Sequence, residues 1–261
     1  MKAPAVFISH GSPLAVITED DYAEALRGFG RRMERPTAIV VVSAHGLSPD
    51  GSVAVTAGER PPLIYDFGGF PSELYEYRYP CPGSPALAHE VGERFSSLGL
   101  KVSLSKNAGI DHGVWVPLAR LFPEADVPVV QVSMPFPSTP RRIFAMGEAL
   151  RPLRQSGVML IGSGGAVHNL RELDWHGGRK DAAGWARAFN DWLKADIAAG
   201  RFDDILAFES QAPEPRRAHP TTEHFFPTFF TLGAAAESDR ASVIADGFQY
   251  GTLSMFSYTF G

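Results

Sequence analysis

The sequence predicts a single α/β domain, residues 1–261, with a central, mostly parallel or mixed sheet and helices on both faces. Apolar runs of strand length recur along the chain and alternate with segments of helical periodicity. Runs that are apolar at nearly every position are typical of strands buried on both faces, and their alternation with helices favours an α/β sandwich. A chain of 261 residues, 44% hydrophobic and 20% charged, is sufficient for one such domain with a full core.

The individual elements follow from local patterns. Five apolar runs are predicted as strands: 5–9, 38–44, 127–134, 157–162 and 242–245. The aromatic tail, residues 250–260, is predicted as a late strand at an edge of the sheet. Apolar residues three and four positions apart predict three helices: 20–33, 85–99 and 182–200.

Residues 57–84 do not fit this alternation. The segment has no regular apolar period and contains five prolines and four tyrosines. An irregular stretch of this length inside a compact domain is often a lid or a binding loop. We therefore predict an aromatic lid at about 57–84, the alternative being a surface excursion packed by its own aromatic side chains.

Charge and composition exclude several classes of protein. The net charge is −5, and no run of basic residues is longer than two, which argues against a nucleic-acid partner. No apolar stretch reaches the length of a membrane span, and the N-terminus lacks the apolar core of a signal peptide. The single cysteine, Cys81, cannot form an intramolecular disulfide. These features predict a cytoplasmic protein without a membrane partner.

Eight histidines are present, and three of them follow predicted strands. His10 and His45 close the first two strands, and His168 follows the strand 157–162 through the glycine-rich sequence "GSGGAV". Open α/β sheets collect their ligand sites at the carboxyl ends of strands. We therefore expect these imidazoles to lie at one edge of the sheet.

Two further histidines lie in polar clusters beside apolar residues. His112 precedes a predicted short helix, and His224 lies close to His219 and Glu223 beside a run of phenylalanines. An imidazole fixed against apolar surface is suited to metal binding. The remaining two histidines are interpreted as solvated: His89 and His176. The spacing is too dispersed for a short metal motif, so the residues alone favour an α/β enzyme with a histidine-rich metal centre.

Six short motifs identify a family. They are "HGSP" (10–13), "SAH" (43–45), "YDFGGFP" (65–71), "DHGVWVPL" (111–118), "GSGGAVHNL" (162–170) and "HPTTEHFFP" (219–227). In these motifs and in their order, the sequence resembles the class III extradiol ring-cleavage dioxygenases, in the branch that contains DOPA extradiol dioxygenase. The resemblance implies cleavage of a catechol-type ring beside its diol with O2, giving a muconic semialdehyde.

The resemblance also implies roles for individual residues. His10, His45 and His224 would bind one divalent metal ion, with Fe(II) expected for dioxygenase activity and Zn(II) as another occupant. His168 would face the substrate, with a place in the metal shell as the alternative. Because an imidazole can carry protons near neutral pH, we assign His168 the role of catalytic acid and base, and His112 that of positioning the substrate or oxygen. Substrate-binding positions would be Tyr65 and Asp66. Because the wider class uses two histidines and a glutamate, Glu223 is retained as an alternative ligand.

One position departs from the family. The motif that commonly reads Ser-Ala-His-Trp ends here in Gly46, so we expect a substrate site enlarged at this position. Two other functions remain open at the level of sequence. Three histidines and an open position also describe a zinc-dependent hydrolase. The chain could equally be a non-catalytic, metal-binding regulatory member of the superfamily.

Overall fold

The computed structural model describes residues 2–175 and 181–261 and is built around one large sheet. Its strands are β1 (Ala5–Ser9), β2 (Ala38–Ser48), β3 (Val53–Thr56), β4 (Val102–Ser105), β5 (Val129–Pro135), β6 (Val158–Gly164), β7 (Ala241–Ala245), β8 (Phe248–Gln249), β9 (Leu253–Ser254) and β10 (Ser257–Phe260). Eight strands form a mixed sheet in the order β4-β3-β5-β2-β6-β1-β10-β7, and β8 pairs with β9. The neighbours β5, β2, β6 and β1 run parallel. Their carboxyl ends therefore share one edge of the sheet.

The helices of the described residues are α1 (Asp21–Arg32), α2 (Ser72–Glu76), α3 (Pro85–Ser97), α4 (His112–Leu121), α5 (Pro140–Leu150), α6 (Gly184–Ala199), α7 (Phe202–Leu206), α8 (Phe208–Gln211), α9 (Pro215–Ala218) and α10 (Phe226–Ala234). The longer ones begin at side-chain caps. The Asp20 carboxylate accepts the backbone N–H of Ala23 at 2.8 Å at the start of α1. Within the described part of the chain, no helix combines the length and the apolar character that crossing a membrane requires.

Helices cover both faces of the sheet, as predicted. On β1, Ala5 and Phe7 belong to a core shared with α3, α5, α6 and α10. The alternate residues Val6 and Ile8 belong to a second core shared with α1 and α4. Since successive side chains of a strand point to opposite faces, a strand between two helical layers must be apolar throughout. The fold class is thus confirmed, and the helices predicted over 20–33, 85–99 and 182–200 are present.

The edges of the sheet differ from the prediction. The tail strand β10 lies inside the sheet, where it pairs antiparallel with both β1 and β7. Its Tyr258 and Phe260 are buried, so aromatic content here reflects an interior strand. The two edge strands are β4 and β7. The sequence pattern predicted β7 as a buried strand and did not predict β4. Ser242 and Val243 of β7 are exposed, because nothing pairs with its outer side within the described residues.

A buried arginine connects segments near the two ends of the chain. The side chain of Arg154 is completely buried and pairs with Asp239 at 2.6 Å. Its guanidinium also donates to three backbone carbonyl oxygens, those of Ala3, Ala234 and Phe260. All of these acceptors lie near the two ends of the chain. Arg154 therefore ties the first and last strands to the α5–β6 connection.

Removal of this guanidinium should destabilise the fold. We expect Arg154→Met to lower the free energy of unfolding by about 3–5 kcal/mol, since Asp239 and several carbonyls lose a buried donor. The matched control is Arg141→Met, whose pair with Asp203 is exposed and should be worth less than about 1 kcal/mol. Urea denaturation of both variants measures the difference. Equal losses in the two variants would contradict the role of Arg154.

Candidate active site

Five histidines meet at the edge formed by the carboxyl ends of the parallel strands. His10 directly follows β1, His45 lies in β2 where its pairing with β5 shifts register, and His168 follows β6. His112 is the first residue of α4, and His224 lies two residues before α10. The five imidazoles thus lie close together at this edge. Because β2, β6 and β1 are neighbours in the sheet, the histidines at their carboxyl ends are neighbours too.

Three of these imidazoles have the spacing of ligands to a single ion. One ring nitrogen from each of His10, His45 and His224 lies within 4.8 Å of the other two. The Nε2 atoms of His10 and His45 are 3.2 Å apart. Two nitrogens bound to one zinc ion at about 2.0–2.1 Å with tetrahedral angles lie about 3.3 Å apart, so this separation fits a shared metal.

The hydrogen bonds of His10 determine which of its nitrogens is available. Its Nδ1 lies 3.0 Å from the Ser163 hydroxyl, and that hydroxyl donates its own proton to the Gly113 carbonyl. The hydroxyl must therefore accept from Nδ1–H of His10. This assigns the tautomer in which Nε2 carries a free lone pair. A neutral Nε2 aimed at its neighbours is the form that a metal ion binds.

Carboxylates orient the other two candidate ligands in the same way. Asp66 Oδ2 lies 3.2 Å from Nδ1 of His45, and Glu223 Oε1 lies 3.0 Å from Nδ1 of His224. A carboxylate next to Nδ1 accepts its proton and leaves Nε2 unprotonated. Glu223 is therefore placed to orient His224, although it also lies within metal-ligating distance of His168 and His224.

Burial keeps the central imidazoles neutral. It is the main reason that the pKa of His10 lies well below the ordinary value of 6.5, and the neighbouring His45 and His224 lower it further. The pKa of His224 is lowered for the same reason, with His168 as its strongest neighbour. These groups remain unprotonated at neutral pH. The donor set therefore fits a divalent cation, which requires neutral imidazole nitrogens.

Asp66 bridges two histidines. Its Oδ1 accepts from Nδ1 of His112 at 2.9 Å and from the His112 backbone N–H at 3.0 Å, while Oδ2 faces His45. Burial alone would raise the pKa of this carboxyl, but the hydrogen bonds from His112 and His45 outweigh it and hold the pKa far below the usual range. Asp66 does not line the cavity described below, so its contacts suit orientation of histidines better than substrate binding.

Replacing this bridge should weaken metal binding without unfolding the protein. In Asp66→Asn the side chain has one acceptor oxygen and one donor group, so it can serve only one of the two imidazole N–H groups. We expect affinity for Zn(II) to fall by about 10–100-fold. Chelator competition measures this affinity. The matched control is Asp191→Asn, on the exposed side of α6. Unchanged affinity in Asp66→Asn would refute the bridging role.

His168 packs directly on His224. Their rings are stacked, with centroids 3.5 Å apart and planes within 4°. Burial lowers the pKa of His168 to about 4, although nearby Glu223 acts in the opposite direction. His219 is held apart from the cluster, with its Nε2 3.1 Å from the Ala166 carbonyl oxygen. It supports the turn that carries His168 and does not join the ligand group within the described residues.

The histidines form the floor of a cavity of about 210 Å³. All five line it: His10, His45, His112, His168 and His224. The walls and mouth are mostly apolar and comprise Gly11, Ser12, Pro13, Phe67, Phe70, Leu170, Leu173, Trp175, Tyr250 and Leu253. Two wall residues, Phe67 and Phe70, belong to the segment 57–84. A polar floor beneath apolar walls is the usual form of a small-molecule site.

Like Asp66, the other two positions predicted to bind substrate, Tyr65 and Gly46, lie outside this lining. The Tyr65 hydroxyl donates to the carbonyl oxygen of Tyr77 at 2.7 Å, which holds the segment 57–84 together. A Cβ at Gly46 would lie 2.9 Å from Nε2 of Gln131 and 3.5 Å from Cα of Ser133. It would thus point toward β5 and away from the cavity. The expectation that Gly46 enlarges the substrate site is not supported by this geometry.

Sequence reasoning assigned no role to Asp111, which is buried and fully hydrogen-bonded next to His112. The Asp111 carboxylate accepts from the Ser43 hydroxyl at 2.7 Å and from the Gln131 amide, and its backbone N–H donates to Gln131. Burial raises its pKa. The residue is adjacent to His112 in the motif "DHGVWVPL", which was the available signal. Of the two histidines interpreted as solvated, His89 is exposed, and His176 lies outside the described residues.

Known proteins resemble this chain over nearly its whole length. Residues 4–261 match the family described as the catalytic LigB subunit of aromatic ring-opening dioxygenase. The chain is 40% identical over 263 residues to a protein of Escherichia coli K12 named 4,5-DOPA dioxygenase extradiol, covering 100% of this chain and 95% of the relative. A protein of the same name from Beta vulgaris is 37% identical, with 97% and 95% covered.

A solved structure has the same fold over the whole chain. The crystal structure of an uncharacterised protein from Escherichia coli K12 superposes with a TM-score of 0.84 at 35% identity, covering 100% of both chains. Family, relatives and fold therefore agree over the full length of the described structure. This chain belongs to the LigB family of aromatic ring-opening dioxygenases and is an extradiol ring-cleaving dioxygenase.

Proposed function

We propose that this enzyme opens catechol-type rings in the five-histidine cavity, with O2 as co-substrate and a muconic semialdehyde as product. His10, His45 and His224 would hold one divalent metal ion. The observation that carries the proposal is the convergence of three imidazoles, each with its Nδ1 engaged by another group. They lie at the floor of a cavity whose walls are largely apolar and aromatic. Membership of the family supplies the reaction class.

The proposed ion is Fe(II). Held by His10, His45 and His224, Fe(II) would supply the one-electron chemistry that lets a catechol ring react with O2. Three histidines without a carboxylate ligand suit Zn(II) as well. Asp66 and Glu223 place negative charge next to two of these imidazoles, one hydrogen bond from His45 and His224 respectively. The protein's own residues would perform the remaining steps: binding, proton transfer and exclusion of water.

His168 is the proposed proton carrier. It lines the cavity and stacks on His224, so its imidazole can reach a catechol hydroxyl. Burial lowers the pKa of His168 to about 4, so the ring is uncharged at pH 7 but a weaker base than the sequence-based prediction assumed. The same imidazole would take a catechol proton and return it as the ring opens. His112 has a different role, since its Nδ1–H is engaged by Asp66. Its Nε2 remains an acceptor, which would hold the second hydroxyl or orient oxygen.

The segment 57–84 is the proposed cover. Its Phe67 lies 5.6 Å from the His112 ring and 5.5 Å from Phe70, measured between ring centroids. These two rings form one wall over the histidine floor. The same segment supplies Asp66, which holds His45 and His112. Closing this wall over a bound ring would exclude water from reactive oxygen species.

Oxygen consumption tests the proposed function. The protein is purified without air, analysed for metal, stripped, and reloaded with Fe(II) or Zn(II). With Fe(II), we expect one O2 consumed per catechol and a product with the visible absorbance of a muconic semialdehyde. With Zn(II), we expect catechol to bind without turnover. If no catechol in a broad panel consumes O2 with Fe(II), the proposed substrate class and metal are refuted.

A further inference from the structure

The turn of a short hairpin forms part of the cavity wall. Strands β8 and β9 pair antiparallel, and residues 250–252 connect them. Tyr250 begins this turn, is partly buried, and lines the cavity together with the five histidines. An aromatic ring from the hairpin therefore borders the space in which a substrate would lie.

The backbone of Tyr250 has a left-handed conformation. Its φ is 50°, and the φ of the following Gly251 is 73°. Turns with two successive positive φ values favour Asn and Gly. A bulky side chain is uncommon there, because its Cβ lies too close to the following carbonyl oxygen. Tyr250 therefore carries backbone strain that Asn or Gly at the same position would largely avoid.

Main-chain hydrogen bonds hold the turn in this conformation. The carbonyl oxygen of Tyr250 accepts the backbone N–H of Asp174 at 2.9 Å, and that of Gly251 accepts the backbone N–H of Ala183 at 2.8 Å. A carbonyl oxygen is present whatever the side chain, so Asn at position 250 can accept the same bond from Asp174. These bonds account for the shape of the turn but not for its aromatic side chain.

Two other positions allow a comparison. In the described part of the chain, the residues other than glycine with a positive φ are Ala125, Glu214 and Tyr250. Of these three, Tyr250 is the one that lines the cavity. Strained residues cluster at ligand sites, where the conformation serves to aim a side chain. The strain at Tyr250 is therefore consistent with a ring that is retained for its contact with a ligand.

The size of the cavity brings this ring close to a bound substrate. With its hydroxyls at the histidine floor, a catechol extends its ring towards the walls of a space of about 210 Å³. We infer, resting on the proposed function, that Tyr250 is a substrate-binding residue whose ring packs against the catechol ring. Trp175 supports it from the side, with ring centroids 4.8 Å apart. Contact between aromatic rings stabilises a complex beyond the burial of apolar area alone.

The variant Tyr250→Asn tests the ring separately from the backbone. Since Asn tolerates the left-handed conformation, thermal unfolding should show no loss of stability. Affinity of the Zn(II)-loaded protein for catechol, measured by calorimetry without air, should fall at least about tenfold. In the Fe(II)-loaded enzyme, KM should rise by a similar factor and kcat should change less than about threefold. The reason is that the ring contact is made equally in the ground state and the transition state.

Two further variants complete the experiment. Tyr250→Phe keeps the ring and the strain, so its catechol affinity should stay within about twofold of the unmodified protein. Glu214→Asn is the matched control, because Glu214 has a φ of 51°, is exposed and does not belong to the cavity lining. It relieves the same kind of backbone strain and should leave catechol affinity unchanged.

The outcomes separate this inference from the proposed function. Unchanged catechol affinity in Tyr250→Asn, with ring cleavage intact in the unmodified enzyme, would overturn the role of Tyr250 and leave the proposed function standing. A tenfold loss in Tyr250→Phe would also overturn it, since the hydroxyl rather than the ring would then bind. Loss of stability in Tyr250→Asn would show a structural ring instead. If neither metal-loaded form of the unmodified enzyme binds catechol, the proposed function is refuted, and with it the substrate assigned to Tyr250.

Discussion

Alanine at His10, His45 or His224 should remove stoichiometric metal binding and ring cleavage together. Each substitution leaves two of the three imidazoles that lie within 4.8 Å of one another. If the roughly 10–16 kcal/mol of a tight zinc site is shared among its four ligands, one ligand contributes about 3 kcal/mol. We therefore expect affinity for Zn(II) or Fe(II) to fall by about 100-fold or more in each variant, as measured by metal analysis and chelator competition.

His10→Ala is the decisive member of this set. Two other groups of residues have ligand-like spacing, one formed by His45, Asp66 and His112 and the other by His168, Glu223 and His224. His10 belongs to neither of them. A variant that keeps its metal after His10→Ala would therefore show that one of the other groups is the site.

The control for these variants is another histidine. His89 is exposed on α3, so His89→Ala should keep both metal and activity. Circular dichroism and thermal unfolding of each variant separate loss of metal from loss of fold. A ligand variant that is folded, empty and inactive is the expected result.

His168→Ala should retain the metal and lose ring cleavage by about 100-fold or more. The ring stacks on His224 without being required to fill the ligand set of His10, His45 and His224. Its loss would remove the group that accepts the catechol proton and returns it. Turnover is measured with Fe(II)-loaded protein at saturating catechol, beside metal content of the same sample.

Two results would contradict this role. Unchanged turnover would exclude His168 from proton transfer. Loss of metal together with activity would instead place His168 among the ligands, in the group that it forms with Glu223 and His224. Retention of catechol binding in the variant, seen by fluorescence, would show that the defect lies in the reaction itself.

Local sequence was sufficient for the main framework. Strands such as β1 and β6 are apolar at almost every position because helices cover both faces, and that pattern is readable without any tertiary information. His10, His45 and His168 follow from the same strands, since the carboxyl ends of parallel strands share an edge. The roles of His112 and His224 came from the resemblance, because neither ends a strand.

Side-chain direction and long-range pairing were decided only by the tertiary structure. Nothing in "SAHG" shows that a Cβ at Gly46 faces Gln131 on β5, because the register shift in β2 sets that direction. Nothing in "YDFGGFP" shows that Asp66 spans two imidazoles from different elements. The cavity lining likewise combines Phe67, Leu170 and Tyr250, which are far apart in sequence. Periodicity records which face of an element is buried, whereas hydrogen bonds and cavity walls depend on which elements the fold makes neighbours.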